Sequence, residues 1–294
     1  MTLQDGQAGA AASFVLTLTC TDRVGIVAAI TRTVAECDGF ILDSQQYADL
    51  ETGQFFMRVA FMAGGAAFPD EDALRAAIAA AAGPFDMDWR LTRGDDRPRV
   101  LIAVSKGSHC LNDLLHRWRI GHLPVEIVGI VSNHTDLQEL ASWYGVPFHH
   151  LPVDGASRAA QEAALLDLFD RERADLLVLA RYMQVLSPAL VDALAGRCIN
   201  IHHSFLPSFK GSRPYHAAHA RGVKLIGATA HYVTSDLDEG PIIEQAVERV
   251  DHRATATELA QIGRDIEAQV LARAVAWVAE RRVFLNGIRT VVFR

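Results

Sequence analysis

From Val100 onward the sequence repeats one pattern: a short run rich in Val, Ile and Leu, then a longer segment with apolar residues at helical spacing. VLIAVS (100–105) precedes CLNDLLHRW (110–118), VEIVGIVS (125–132) precedes DLQELASWYG (136–145), and FHHLPV (148–153) precedes AAQEAALLDLFDRE (159–172). DLLVLA (175–180) precedes SPALVDALAG (187–196), and CINIHH (198–203) closes the series. Apolar runs of this length are strands buried on both faces. Alternation with helices forces crossover connections and parallel pairing. The pattern therefore predicts an α/β fold, a doubly wound, mostly parallel sheet with helices on both sides. IGATAHYVT (226–234) and PIIEQAVERV (241–250) read as a later strand pair, and residues 255–280 as one long helix.

The preceding segment has a different rhythm. FVLTLTC (14–20), a helical stretch at 24–36, two strand-like runs at 40–49 and 53–62, a helix at 69–83 and FDMDWRLT (85–92) give β-α-β-β-α-β, an α+β sandwich. RGDDRPR (93–99) has no apolar residue and holds a Pro, so it reads as a linker. The organisation expected is a mobile tail at 1–13, a small domain at 14–92, the linker at 93–99 and a catalytic domain at 100–294.

Bulk properties exclude several classes. The net charge of −7 and the absence of a basic block argue against nucleic acid as a partner. No apolar run reaches the roughly 18 residues that span a bilayer, so no membrane partner is expected. The first residues lack the basic and apolar parts of a signal peptide. The four Cys (Cys20, Cys37, Cys110 and Cys198) show no CxxC spacing and read as reduced, mostly buried thiols in a cytoplasmic protein.

The stretch with most chemistry is INIHHSFLPSFKG (199–211). Ligands of open α/β sheets bind beyond the carboxyl ends of strands, and Asn200 and His202 stand near such an end. Period-two alternation points both to one side. An amide and an imidazole together suit stabilisation of a carbonyl oxygen as it becomes an oxyanion, and the imidazole can move a proton. Such a His needs an orienting carboxylate. VTSDLDEGP (233–241) offers Asp236, Asp238 and Glu239, and the residues alone do not choose among them.

NIHHSFLPSFKG together with HYVTSDLDEGPI (231–242) resembles the formyltransferase fold that uses 10-formyltetrahydrofolate, over about 190 residues from Val100 onward. That resemblance selects Asp238 as the third member with Asn200 and His202. LARYMQVLSP (179–188) is similar to the family segment lining the pterin pocket, which implies Leu179, Met183, Val185 and Leu186 as substrate contacts, with His203 and His231 beside them. CTDRVGIVAAI (20–30) resembles an ACT domain, a ligand-sensing or dimerising module. It implies an amino-acid effector at Asp22, Gly25 and Ile26, and a homo-oligomer built through edge strands. An ACT domain ahead of this fold is the arrangement of the formyltetrahydrofolate deformylase family. The resemblance thus implies hydrolysis of 10-formyltetrahydrofolate to formate and tetrahydrofolate for one-carbon and purine metabolism. The folate is then the substrate, with no permanently bound cofactor and no metal.

Departures bear on the acceptor. Glycinamide ribonucleotide formyltransferases hold a phosphate in a small-residue loop after the first strand of this fold. Here VSKGSHCLNDLL (104–115) has only Gly107 in the loop, and Lys106 and His109 crowd the place where free backbone amides are needed. His203 stands where those transferases carry Pro. Both changes fit water as acceptor. The alternatives are formyl transfer to an amine on a nucleotide, sugar or aminoacyl group, and a non-catalytic folate or amino-acid sensor.

Several residues carry a plainer reading. His203 faces away from His202 if the strand persists. His231 is either a core histidine or a pocket residue. His216 and His219 have i, i+3 spacing but lack a third metal ligand and suit a helix surface. His149 and His150 read as structural, and Lys106 has no assigned role. Lys210 and Arg213 are either solvated or near an anionic folate tail. Asp22 could simply cap the helix that follows.

Overall fold

The computed structural model describes residues 12–153, 157–206 and 214–294. The chain forms two compact units, the first reaching Asp96 and the second starting at Arg97. Most of the segment expected as a mobile tail, and both Lys210 and Arg213, lie outside the described residues.

In the first unit, β1 (Ser13–Thr21), α1 (Ile26–Glu36), β2 (Gly39–Asp49), β3 (Gln54–Ala63), α2 (Glu71–Ala82) and β4 (Asp88–Arg93) follow in order. The sheet runs β2-β3-β1-β4, all antiparallel. Phe14, Leu16, Leu18 and Cys20 alternate into the core and meet Ile26, Ile30 and Val34 of α1 and Leu74 and Ile78 of α2. Asp70 caps α2, its carboxylate accepting the Ala73 N–H at 2.8 Å. Asp22 does not cap α1: the N-cap is Gly25, at φ 102°, a backbone that favours glycine. Asp22 instead donates its backbone N–H to the Gly53 carbonyl. Arg93 and Arg99, the two ends of the expected linker, each lie in a strand.

The second unit contains β5 (Arg99–Val104), α3 (His109–Arg119), β6 (Glu126–Ser132), α4 (Gln138–Tyr144), β7 (Phe148–His150), α5 (Arg158–Arg171), β8 (Leu176–Leu179), α6 (Pro188–Ala193) and β9 (Cys198–His202). It continues with α7 (Pro214–Arg221), β10 (Leu225–Tyr232), β11 (Ile242–Arg249), α8 (Ala256–Ala279), β12 (Val283–Asn286) and β13 (Arg289–Val292). The main sheet has seven strands in the order β11-β10-β9-β8-β5-β6-β7. β7, β6, β5, β8 and β9 pair parallel, whereas β10 and β11 join antiparallel.

Strand alternation separates two cores. Val100, Ile102, Val104, Leu176 and Val178 pack with α3 and α8 on one side. Leu101, Ala103, Leu177 and Leu179 pack with Leu165, Leu168 and Phe169 of α5 on the other. Helix ends follow local chemistry: the Ser187 hydroxyl accepts the Leu190 N–H ahead of Pro188, and Thr255 with Glu258 forms a capping box at α8. The hairpin β12–β13 was not expected, although Asn286-Gly287 is a turn signal. Among the described residues, no helix is long and apolar enough to cross a membrane.

Candidate active site

β9 lies between β8 and β10, and its register sets the site. Asn200 is level with Leu179 on one side and His231 on the other, and His202 is level with Thr229. Asn200 and His202, two residues apart, therefore face the same way. The Asn200 amide donates to His231 Nε2 at 3.3 Å, while His231 Nδ1 donates to the Tyr232 carbonyl at 2.8 Å. Both nitrogens are accounted for by the neutral ring. Burial pushes the His231 pKa down, outweighing the backbone hydrogen bond and the Asp238 charge that raise it. His231 thus fixes the Asn200 amide and leaves its second N–H for another acceptor.

The loop after β10 supplies the carboxylate. Gly240 packs so tightly that an added Cβ would lie 1.7 Å from the Tyr232 carbonyl oxygen. The Tyr232 N–H closes the turn on the Pro241 carbonyl. Asp238 precedes this turn in the left-handed region, at φ 60°. Its Oδ1 lies 3.1 Å from His202 Nδ1 and 3.9 Å from His231 Nε2. Asp236 and Glu239 are exposed. The His202 hydrogen bond, opposed by burial and helped by the neighbouring imidazoles, holds the Asp238 pKa below the usual carboxylate range. His202 is itself buried, and its Nε2 has no hydrogen-bond partner among the described residues.

His203 does not turn away. β9 ends at His202, so strand alternation stops there, and the His203 ring stacks on the His202 ring with centroids 5.0 Å apart and planes at 21°. Arg181 donates to His203 Nδ1. Behind Arg181 stands Glu267, a carboxylate 1% exposed that accepts from His109 at 2.9 Å and from the Tyr215 hydroxyl at 2.7 Å, with the Arg181 guanidinium 3.4 Å away. Burial alone would raise the Glu267 pKa, but these partners outweigh it and bring it down.

Leu179, Met183, Val185, Leu186, Asn200, His202, His203, His231 and Asp238 all line one cavity of about 270 Å³. That is near the lower end of small-molecule sites, room for a ring system but not for a long tail. Leu179 and Leu186 form its buried wall, whereas Met183 and Val185 are exposed at its mouth. The loop carrying Met183 is tied to the sheet: Ser105 Oγ accepts the Met183 N–H at 3.0 Å and donates to Asn133 at 2.7 Å. The chain beyond His203 is held by Thr229, which donates to the Ser204 carbonyl and accepts the Leu206 N–H.

Arg181, Tyr215 and Glu267 were not singled out from the sequence. Glu267 had a signal, an acidic residue on the stripe Gly263, Val270, Leu271 and Ala274 that α8 buries. His109, Cys110 and Glu267 bring three metal-ligand atoms within 4.8 Å of one another. Glu267 there is already bonded to two donors and beside a fixed guanidinium, and burial pushes the Cys110 thiol pKa well up. This arrangement suits an internal ion-pair network better than a cation. His216 and His219 are exposed on α7. In the first unit Asp22 and Gly25 are exposed, but the Ile26 side chain is in the core and could offer a ligand only its backbone.

Residues 98–275 match the formyl transferase family, and residues 12–86 match the ACT domain. A formyltetrahydrofolate deformylase of Corynebacterium sp. (strain P-1) is 52% identical over 95% of this chain and 98% of the relative. The crystal structure of formyltetrahydrofolate deformylase from Burkholderia mallei is 53% identical, with a TM-score of 0.91 over 96% of this chain and 100% of that one. The crystal structure of glycinamide ribonucleotide transformylase 1 from Symbiobacterium toebii is 31% identical, with a TM-score of 0.63 over 67% of this chain and 95% of that one.

Proposed function

The chain belongs to the formyltetrahydrofolate deformylase family and hydrolyses 10-formyltetrahydrofolate to formate and tetrahydrofolate, and we propose that Asn200, His202 and Asp238 perform that hydrolysis together. The observation that carries the assignment is the buried His202, bonded through Nδ1 to Asp238 while its Nε2 has no partner among the described residues. Asp238 orients the ring, and Nε2 is the nitrogen that moves a proton.

Water attacks the formyl carbon, and its proton passes to His202 Nε2. The second N–H of Asn200 meets the carbonyl oxygen as it becomes an oxyanion. A donor in that position contributes about 3–4 kcal/mol to the transition state. The bond from carbon to N10 then breaks, and His202 returns its proton to N10. The second oxygen of Asp238 holds the attacking water. Every charge that develops is met by groups of the chain itself, so no step is routed through a metal.

The apolar wall of Leu179 and Leu186 takes the pterin, with His203 and His231 at its edge, and the cavity's size directs the glutamyl tail outward. The folate enters as substrate and leaves as product, which returns formate and free tetrahydrofolate to one-carbon and purine metabolism. The four cysteines are free thiols, which suits a cytoplasmic enzyme.

The ACT unit supports a homo-oligomer. Its strand β2, at the edge of the sheet, exposes Phe40 and Leu42, 62% and 56% accessible. Light scattering on the purified chain is expected to give a multiple of the monomer mass. The uncapped start of α1 at Gly25 and Ile26 is where an amino-acid carboxylate would find free N–H groups.

The test of the reaction itself is acceptor-free. Purified protein with 10-formyltetrahydrofolate alone is expected to release formate and tetrahydrofolate in equal amounts. Turnover that begins only when an amine is added would show a transferase instead.

A further inference from the structure

The cavity that holds Asn200, His202 and Asp238 has a neighbour. A second cavity, lined by residues that include Lys106, Gly107, His109, Arg264 and Glu267, shares Arg181 and Met183 with the first. One cavity is walled by Leu179 and Leu186, the other largely by charged and polar groups. Together they offer room for a folate on one side of the reacting carbon and for a polar acceptor on the other.

What stands between them is a partly buried guanidinium held by a buried carboxylate. Arg181 donates forward to His203, whose ring stacks on His202, and is braced from behind by Glu267. Glu267 is in turn fixed by His109 and Tyr215. A buried carboxylate so fully engaged is costly to disturb. Arg181 also occupies the left-handed region at φ 66°, where glycine would be free of strain. An arginine held there against its backbone preference points to a task for its side chain. Gly107, on the far side, offers no side chain of its own: an added Cβ there would touch the Arg181 Cβ at 3.7 Å.

We propose that Arg181, braced by Glu267, sets acceptor specificity: it closes the charged cavity off from the formyl carbon, so that water reaches the attacking position and a primary amine does not. This rests on the hydrolase reading above. With the wall removed, an amine nitrogen attacks the formyl carbon and forms the new C–N bond. The bond to N10 breaks, and a proton from the amine passes to N10. The products are an N-formyl amine and tetrahydrofolate, and no further reactant is needed.

The test uses Arg181→Gly, which removes the side chain and suits the backbone angle. Full-length wild type and variant are incubated with 10-formyltetrahydrofolate and excess glycinamide, and formate and N-formylglycinamide are quantified by mass spectrometry. Wild type is expected to give formate with no more than the trace of N-formylglycinamide that forms without enzyme. In the variant the ratio of N-formylglycinamide to formate is expected to rise at least about tenfold, the scale on which a pocket wall discriminates. Arg181→Ser answers the same question should glycine loosen the loop. A folded variant that yields formate only, or neither product, overturns the proposal. Wild-type formate release without amine reports separately on the hydrolase reading, so the two can fail independently.

Discussion

Asp238 Oδ1 sits 3.1 Å from His202 Nδ1, although the two residues come from separate segments of the chain. His202 is the last residue of β9, level with Thr229 of β10. Asp238 hangs from the loop that follows β10, bent back by a glycine with no room for a side chain. The pair is thus set by the antiparallel join of β9 to β10, the point where the parallel pattern of the sheet ends. Its consequence is an oriented imidazole whose other nitrogen is buried and unengaged among the described residues.

His231 is expected to act through Asn200. Phe in its place keeps an aromatic ring, though a larger one, and removes the Nε2 that accepts the amide N–H. The Asn200 amide is then free to rotate, which is expected to lower kcat by about tenfold, less than outright loss of an oxyanion donor. Steady-state kinetics on His231→Phe check this, and an unchanged kcat would remove His231 from the site's support.

Gly240→Ala tests the loop. A methyl group 1.7 Å from the Tyr232 carbonyl cannot be accommodated without moving backbone. The expected cost is about 1–3 kcal/mol in chemical denaturation, the range for forced overpacking. Turnover is expected to fall further than stability would explain, because the displaced segment carries Asp238. A variant as stable and as active as wild type would show that the turn has slack.

Much of this was legible in the sequence because the signals are local. Apolar runs and helical spacing gave the order of strands and helices, and period two placed Asn200 and His202 on one side. The hairpin at 283–292 carried its Asn-Gly turn and was overlooked. His203 stays beside His202 because alternation holds only while the strand lasts, and β9 ends at His202. Geometry separates Asp238 from Asp236 and Glu239: Asp238 alone of the three is in the left-handed region, two residues before a constrained glycine, and its carboxylate turns inward. Arg181, Glu267, Tyr215 and His109 come from distant segments, and only the folded chain makes them one network.

Glu267 makes a prediction about pH. Its pKa is lower in the folded chain than the ordinary carboxyl value of about 4.3. A depressed carboxyl stabilises the fold fully above the unfolded value and loses that contribution as pH falls through the folded one. Wild type is therefore expected to lose stability across that acid window. Glu267→Gln, less stable at neutral pH, is expected to show a shallower loss there. Thermal melts from pH 7 down to 3 check the sign, and parallel curves would contradict it.

The most direct test of the catalytic assignment is the rate of formate release by Asp238→Ala at saturating 10-formyltetrahydrofolate, without any amine, in protein shown to be folded. Asp238 lies on a loop and belongs to neither apolar cluster of its unit, so the change leaves the core intact. The expected result is a loss of about 100-fold or more in kcat, the scale of one missing group in an oxyanion-type site. A variant that releases formate within a few-fold of the wild-type rate would contradict the placement of Asp238 beside His202 as the pair that drives hydrolysis.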